Sequence, residues 1–596
     1  VVYDASREVR MPILNSTLII VVSFVPLFFL SGMEGRMLVP LGIAFIVALF
    51  ASTVVALTLT PVLCSYLLNR KATGMKELRE AWIARKLKVV YKRALELALA
   101  YQKWVLGTTI ALFVVALVIF FHLGRSFLPP FNEGSFTINV SSLPGISLDE
   151  SDQIGRRAEA LLLQVPEIKT VARKTGRAEL DEHALGVNVS EIEAPFELQD
   201  RSRDEVMNDV RKKLSTISGA NIEIGQPISH RIDAMLSGTQ ARIAIKLFGD
   251  DLNRMFMLGN QIKKNISAID GVVDLNVEQQ IERPQLKITP RREMLARYGV
   301  SLSEFAEFID VALAGEVVSQ VYEGSRTFDL TVKVKDDERS SAAKIGDLMV
   351  DTQDGKVPLS YLAEIKSATG PNTINRENVK RKIVISANVS DRDLRSVVDD
   401  IRERIDETVV LPEGYFIEYG GQFESEAAAS RTLSFVSLFS LLVVFLLLYN
   451  QFRSVSQSAV ILLNLPLALI GGVFILRFTT GEISIPAIIG FISLFGIATR
   501  NGMLLVSHYN TMLSEDNSLH DTILRGSLDR LNPILMTALT SALALIPLAL
   551  GGDLPGNEIQ SPMAKVILGG LITSTFLNAF VVPVVYWIMN RKKENR

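Results

Sequence analysis

The sequence predicts an α-helical polytopic membrane bundle of about eight spans that carries a large α+β domain of ferredoxin-like βαβ subdomains outside the bilayer. Three observations carry this. Some eight runs of roughly 20 apolar residues are present, a length that a bilayer demands and a soluble core does not. The stretch of polar sequence between the third and fourth runs repeats a strand-helix-strand pattern. And 48% of the 596 residues are hydrophobic, with a single cysteine, Cys64, so a disulfide framework is excluded. A net charge of −2 makes no case for nucleic-acid binding.

The apolar runs fall at 11 to 31, 39 to 69, 104 to 122, 432 to 450, 456 to 477, 483 to 508, 531 to 550 and 563 to 589. Between the second and third lies a segment with Arg70, Lys71, Lys76, Arg79, Arg85, Lys86, Lys88, Lys92 and Arg93. The positive-inside rule makes it cytoplasmic, and its spacing predicts an amphipathic helix on the inner leaflet. The basic tail RKKENR agrees. The chain then divides into two spans over 1–69, a connecting amphipathic helix over 70–103, a span over 104–122, an outer domain over 123–431, five spans over 432–590 and a cytoplasmic tail over 591–596.

Within the outer domain, FTINVSSLPG, SLDESDQIGRRAEALLLQV and IKTVARKTG read as strand, helix and strand. The pattern returns around DRSRDEVMNDVRKKLSTI and ANIEIGQP, again from ARIAIKLFG to GVVDLNVEQQ, and again from RKIVISANV to GYFIEYGGQ. Helices on one face of each sheet follow. An insertion over about 291–370 carries its own short strands and predicts a separate lobe.

Two consecutive helices recur. Pro12, Ile13, Leu14 and Pro26 line up with Pro533, Ile534, Leu535 and Pro547, and Pro61 with Pro583. The later copy follows one span, the outer domain and three more spans. A duplication therefore leads to the expectation that about four helices and a first outer domain precede Val1.

Arg500 stands inside the apolar run GFISLFGIATRNGMLLVSHY. A charge at such a depth is costly and marks function. Arg530 and Thr537 lie two turns apart on the next run. The stretches TRNGMLLV and RLNPILMT, the downstream IPLAL, the two-helix repeat and the large insertion after one helix resemble the resistance-nodulation-division (RND) efflux permeases. The resemblance covers the whole chain, from about the fifth of the family's twelve helices to the last. It implies a homotrimeric, proton-driven antiporter of the Gram-negative inner membrane, multi-pass, with a periplasmic domain, joined through a periplasmic adaptor protein to an outer-membrane channel. It further implies that Arg500, Arg530 and Thr537 hold proton-relay positions, and that the acidic partners lie on a helix upstream of Val1. No cofactor, catalytic residue or nucleic-acid partner is expected, and no Walker loop, nucleotide fingerprint or nucleophile–base signature suggests an enzyme.

RSFLPPFNEGSF, LPGISLDES, KTGRAELDEHALGVN, SHRIDAMLSGTQARIAIKLFGDD and RREMLARYGVS resemble the heavy-metal (CusA/CzcA-like) branch. They contain the candidate cargo ligands Asp181, Glu182, His183, Glu191, Glu193, His230, Asp233 and Met235, with Glu182, His183, His230 and Asp233 as the metal subset. Imidazole and carboxylate suit zinc, cobalt or nickel, whereas thioethers suit copper(I) or silver(I). Copper and silver members use three methionines, aligned here with Asn188, Ala234 and Val300, so a soft-metal site is disfavoured. Met207, Met255 and Met257 have core spacing. Two cargo readings stay open, divalent metal and amphipathic organic compound. A third reading, a protein-translocating or lipid-handling subunit, is opposed by the RLNPILMT match and the insertion.

Overall fold

The structure, a computed structural model, describes residues 2–67, 81–129, 131–176, 186–237, 241–280, 283–371, 373–514, 518–552 and 554–594. Helix α1 (Val2–Phe24) stops where Pro26 opens a 3-10 turn over Val25–Phe29. α2 (Gly32–Leu57) and α3 (Leu59–Leu67) form one apolar stretch that breaks at Thr58, because Pro61 has no N–H for the Leu57 carbonyl. α4 (Trp82–Ala100) meets α5 (Gln102–His122) at a kink on Tyr101. The basic residues Arg70, Lys71, Lys76 and Arg79 lie outside the described residues.

After the short β1 (Gly124–Arg125), the first sheet unit runs β2 (Ser135–Ser142), α6 (Leu148–Leu162), β3 (Ala172–Thr175), β4 (Val189–Pro195), α7 (Arg203–Leu214) and β5 (Ala220–Gly225). Its antiparallel order is β3-β4-β2-β5. Ser147 caps α6, and Ser202 with Glu205 forms a capping box on α7. Both helices bury Ile154, Ala158, Val206 and Val210 against Phe136, Ile138, Ile192 and Ile224 on one sheet face.

Helix α8 (Pro227–Ser237) leads to the second unit: β6 (Ile243–Phe248), α9 (Leu252–Ile266) and β7 (Val272–Val277). The inserted lobe follows, with β8 (Arg283–Pro290), α10 (Arg292–Arg297), α11 (Leu302–Ile309), β9 (Glu316–Glu323), β10 (Arg326–Val332), α12 (Ala342–Gly346), β11 (Met349–Thr352), β12 (Gly355–Pro358), α13 (Leu359–Leu362) and β13 (Ala363–Gly370). β8 and β13 pair as its stem, and Leu295, Phe305, Leu359 and Leu362 make its own core. The unit closes with β14 (Arg376–Glu377), β15 (Lys380–Val389), α14 (Leu394–Thr408) and β16 (Phe416–Gly421). β7 pairs β15, β15 pairs β6, and β6 pairs β16, which repeats the strand order of the first unit. Four strand-helix-strand patterns in the sequence thus fold as two sheets, each built from two patterns. Met255 is buried under the second sheet and Met207 packs at the edge of the first core. Met257 is exposed, contrary to its core reading: two residues along α9 is about 200° round the helix from Met255.

From Gly421 the chain turns into α15 (Gln422–Phe452), α16 (Val455–Leu462), α17 (Asn464–Thr479), β17 (Glu482–Ile483), α18 (Ile485–Ser514), α19 (Leu519–Leu550) and α20 (Gln560–Glu594). β17 pairs β1 in parallel and ties the outer domain to the bundle. Among the described residues seven helices are long and apolar enough to cross a membrane, and Ile13–Phe29 is a shorter apolar helix that Pro26 curtails. α18 is central: 72% of its most apolar window is buried inside the protein, against 6% for α5. Close packing brings this about. A Cβ on Gly496 of α18 would lie 2.7 Å from the Ile20 Cα of α1, so only glycine admits that crossing.

Candidate functional site

Antiparallel register places Lys174, Glu191, Asn139 and Glu223 in one row across β3, β4, β2 and β5. Because side chains alternate, this row lies on the face opposite Ile138, Ile192 and Ile224. Thr137 and Glu193 form the next row, and the hydroxyls of Ser135 and Thr137 donate to Glu193 at 3.2 and 3.0 Å. Lys174 pairs with Glu191 at 2.8 Å.

The second unit covers this polar face. Ser386 on β15 donates to Glu223 at 3.2 Å, and Arg211 on α7 holds Asp274 of β7 through two bonds of 2.9 and 3.1 Å. Burial raises the Glu223 carboxyl above the usual carboxylate range, against hydrogen bonds from Ser386 and Asn276 that lower it. Asn139, only 3% exposed, finds no hydrogen-bond partner for either amide atom among the described residues.

His230 enters the same cleft from α8. That helix is held at its start by Glu133, whose two carboxylate oxygens accept from the Ile228 N–H at 2.9 and 2.8 Å. The imidazole lies across Gly225, where a Cβ would come within 2.2 Å of Nε2. It is 4% exposed, and among the described residues neither ring nitrogen has a hydrogen-bond partner. Burial drives its pKa down to about 4, partly offset by the carboxylates of Glu191 and Asp274. The ring is therefore neutral at pH 7 and offers a lone pair, the form that binds a metal ion.

Asp233 sits one turn further along α8 but faces elsewhere. It accepts from Gln422 Nε2 at 2.8 Å at the start of α15, and burial raises it to about 6 against the pull of Arg242. His230 and Asp233 thus serve different neighbours. Asp181, Glu182 and His183 lie outside the described residues, as does the side chain of Met235. Asn188 donates to the Ser142 carbonyl at 3.0 Å, while Val300 packs in the inserted lobe, away from this cleft. No three His, Cys, Asp or Glu side chains among the described residues gather closely enough to hold a metal ion. Sequence reading missed Asn139 and Glu223. Their signal was the alternation in FTINV and NIEI, where each polar residue sits between core positions.

In the bundle, Arg500 is half-buried on α18, and no carboxylate lies within ion-pair distance of it among the described residues. On α19, Arg530 Nε is buried without an acceptor among the described residues, and the Thr537 hydroxyl donates to its own helix at the Pro533 carbonyl, 2.8 Å. Among the described residues no hydrogen bond joins the three.

A family model described as "AcrB/AcrD/AcrF family" matches residues 1–590. Protein HelA of Legionella pneumophila is 34% identical over 100% of this chain and 57% of its own length. The cobalt-zinc-cadmium resistance protein CzcA of Cupriavidus metallidurans is 32% identical over the same shares, and the cation efflux system protein CusA of Escherichia coli is 28% identical over 99% and 57%. The crystal structure of a heavy metal efflux pump superposes with a TM-score of 0.84 at 27% identity, over 99% of this chain and 59% of that one. The chain thus spans a little under three-fifths of the relatives it matches.

Proposed function

The chain belongs to the AcrB/AcrD/AcrF family, and from that premise we propose that it works as the inner-membrane permease of a proton-driven efflux pump for heavy-metal cations. Zinc, cobalt or nickel is the favoured cargo over copper(I) or silver(I). One observation supports this most: a buried, neutral imidazole at His230 with both ring nitrogens unpartnered among the described residues, in a cleft that also holds Asn139, Glu191 and Glu223. Nitrogen and oxygen donors suit borderline divalent ions, and the cleft presents no described thiolate. The described donors do not close into a metal shell, which suits a cargo that must be released as well as bound.

The energy source is the proton gradient. Arg500 stays charged in the bundle interior and holds a carboxylate contributed by the part of the relatives' length that this chain does not span. Protonating that carboxylate weakens the pair and lets α18 and its neighbours shift. Arg530 and Thr537 line the same route on α19. A homotrimer, a periplasmic adaptor and an outer-membrane channel complete the machine.

The test has two arms. Purified chain at pH 7 binds zinc in equilibrium dialysis, and His230→Gln weakens binding by at least about tenfold, roughly one lost donor. Cells lacking their own exporters and carrying the full-length gene survive zinc, cobalt or nickel, and Arg500→Ala abolishes the protection. Protection against dyes alone would instead establish the organic cargo.

A further inference from the structure

Helix α4 is held by one face only. Tyr91, Leu95, Ala98 and Leu99 are buried against α19 and α20, and the Tyr91 hydroxyl donates to the Ala579 carbonyl at 2.7 Å. About a quarter turn round, Ile83, Leu87, Val90 and Leu97 recur at helical spacing and stand open, with Ile83 70% and Val90 64% exposed. Nothing among the described residues covers them.

The stripe does not end with α4. The same spacing continues to Tyr101 and Trp104, both exposed, and Trp104 belongs to α5, the span with the least buried apolar window. An apolar surface that leads across the Tyr101 kink directly into a membrane span meets the same solvent as the span. Aromatic residues at the junction fit the headgroup level.

Charge stands along one edge of the stripe. Lys86 and Arg93 flank it, Arg85 and Lys92 follow further round, and all four are exposed, with Glu96 the one exposed anion on the helix. Lys86 Nζ lies 4.3 Å from the centre of the Trp82 ring, which holds a cation beside an interfacial aromatic.

We propose that α4 is a binding surface for anionic phospholipid: its stripe enters the acyl region, and Lys86, Arg93, Arg85 and Lys92 bind lipid phosphates. The occupant is lipid and not a second copy or a soluble protein, because either would have to cover a stripe continuous with a membrane span. The inference rests on the membrane reading of the spans and is independent of cargo and proton coupling. Through Tyr91, lipid held on α4 is one hydrogen bond from α20, so headgroup composition has a direct path to the bundle.

The test uses the full chain. In detergent, exposed to equimolar phosphatidylglycerol and phosphatidylcholine, native mass spectrometry finds phosphatidylglycerol enriched. In the variant K86Q/R93Q/R85Q/K92Q the enrichment falls at least about tenfold, since each basic residue near a charged surface contributes severalfold. Separately, with Trp104→Phe and Trp587→Phe leaving Trp82 alone, nanodiscs of phosphatidylcholine and phosphatidylglycerol with brominated acyl chains quench Trp82. Equal retention of both lipids by the parent, or enrichment untouched by the four substitutions in a variant of unchanged circular dichroism, overturns the proposal. So does an unquenched Trp82 together with a Leu87→Cys variant that cross-links to a second copy. Should the quadruple variant not fold, the parent's lipid ratio and the Trp82 quenching decide.

Discussion

His230 and Asp233 are one helical turn apart, and burial moves both away from their charged forms, with opposite consequences for stability. His230 drops from 6.5 to about 4, so the folded chain binds fewer protons than the unfolded one between those values and its stability rises with pH there. Asp233 climbs from 3.8 to about 6, so the folded chain binds more protons and stability falls as pH rises through that window. Each contributes about 3 kcal/mol over its full range, and the two nearly cancel between pH 4.5 and 6. The parent is therefore close to flat across that interval. Asp233→Asn leaves the histidine alone and gains about 2 kcal/mol as pH goes from 4.5 to 6, while His230→Gln loses a similar amount. Thermal unfolding in detergent with a chelator present measures this, and a flat Asp233→Asn profile would show that His230 is not buried as described.

At the scale of elements, α8 is the part that aims the site. It is short, begins on Pro227, and leans on a carboxylate from the strand side of the cleft, since Glu133 accepts from the Ile228 N–H and also from that of Ser229. An anion at a helix start satisfies orphan N–H groups and complements the helix dipole. Burial nevertheless raises the Glu133 carboxyl, with Glu193 and Glu558 adding to the effect. Glu133→Ala should cost about 1 kcal/mol and lower zinc affinity by releasing the turn that carries His230, whereas Glu133→Gln, which keeps an acceptor, should lose less of both. Dialysis and thermal unfolding of the pair check this; equal losses would mean that charge, and not the cap, is what α8 needs.

For the molecule as a whole, the inserted lobe is separable by construction. Its stem strands leave and return side by side, Arg283 opposite Gly370 and Pro290 opposite Ala363, and its core is its own. Replacing residues 291–362 by an Asn-Gly turn closes β8 and β13 as a hairpin. The remaining chain should keep its helical and sheet content and its zinc affinity, as circular dichroism and dialysis report. Unfolding on excision would show that the lobe supports the two sheet units. Along its length the β9–β10 hairpin is exposed with Val321, Tyr322, Phe328 and Leu330 outward, which accords with the adaptor, channel and trimer contacts proposed above.

The amino-acid sequence by itself determined the apolar spans, the alternation of strand and helix, the inserted lobe and the odd charge at Arg500, and it put His230 among the candidate ligands. Those are local features: hydrophobic period, turn residues and a charge within an apolar run are written in neighbouring residues. Only the tertiary structure decided that four repeated patterns make two sheets, that α18 lies at the centre, that Met257 faces out and that Asp233 turns toward Gln422. It also decided the protonation of His230 and drew Asn139 and Glu223 into the cleft. Burial and electrostatics depend on what covers a side chain, and here the cover comes from strands more than a hundred residues away, Ser386 over Glu223 being the plainest case.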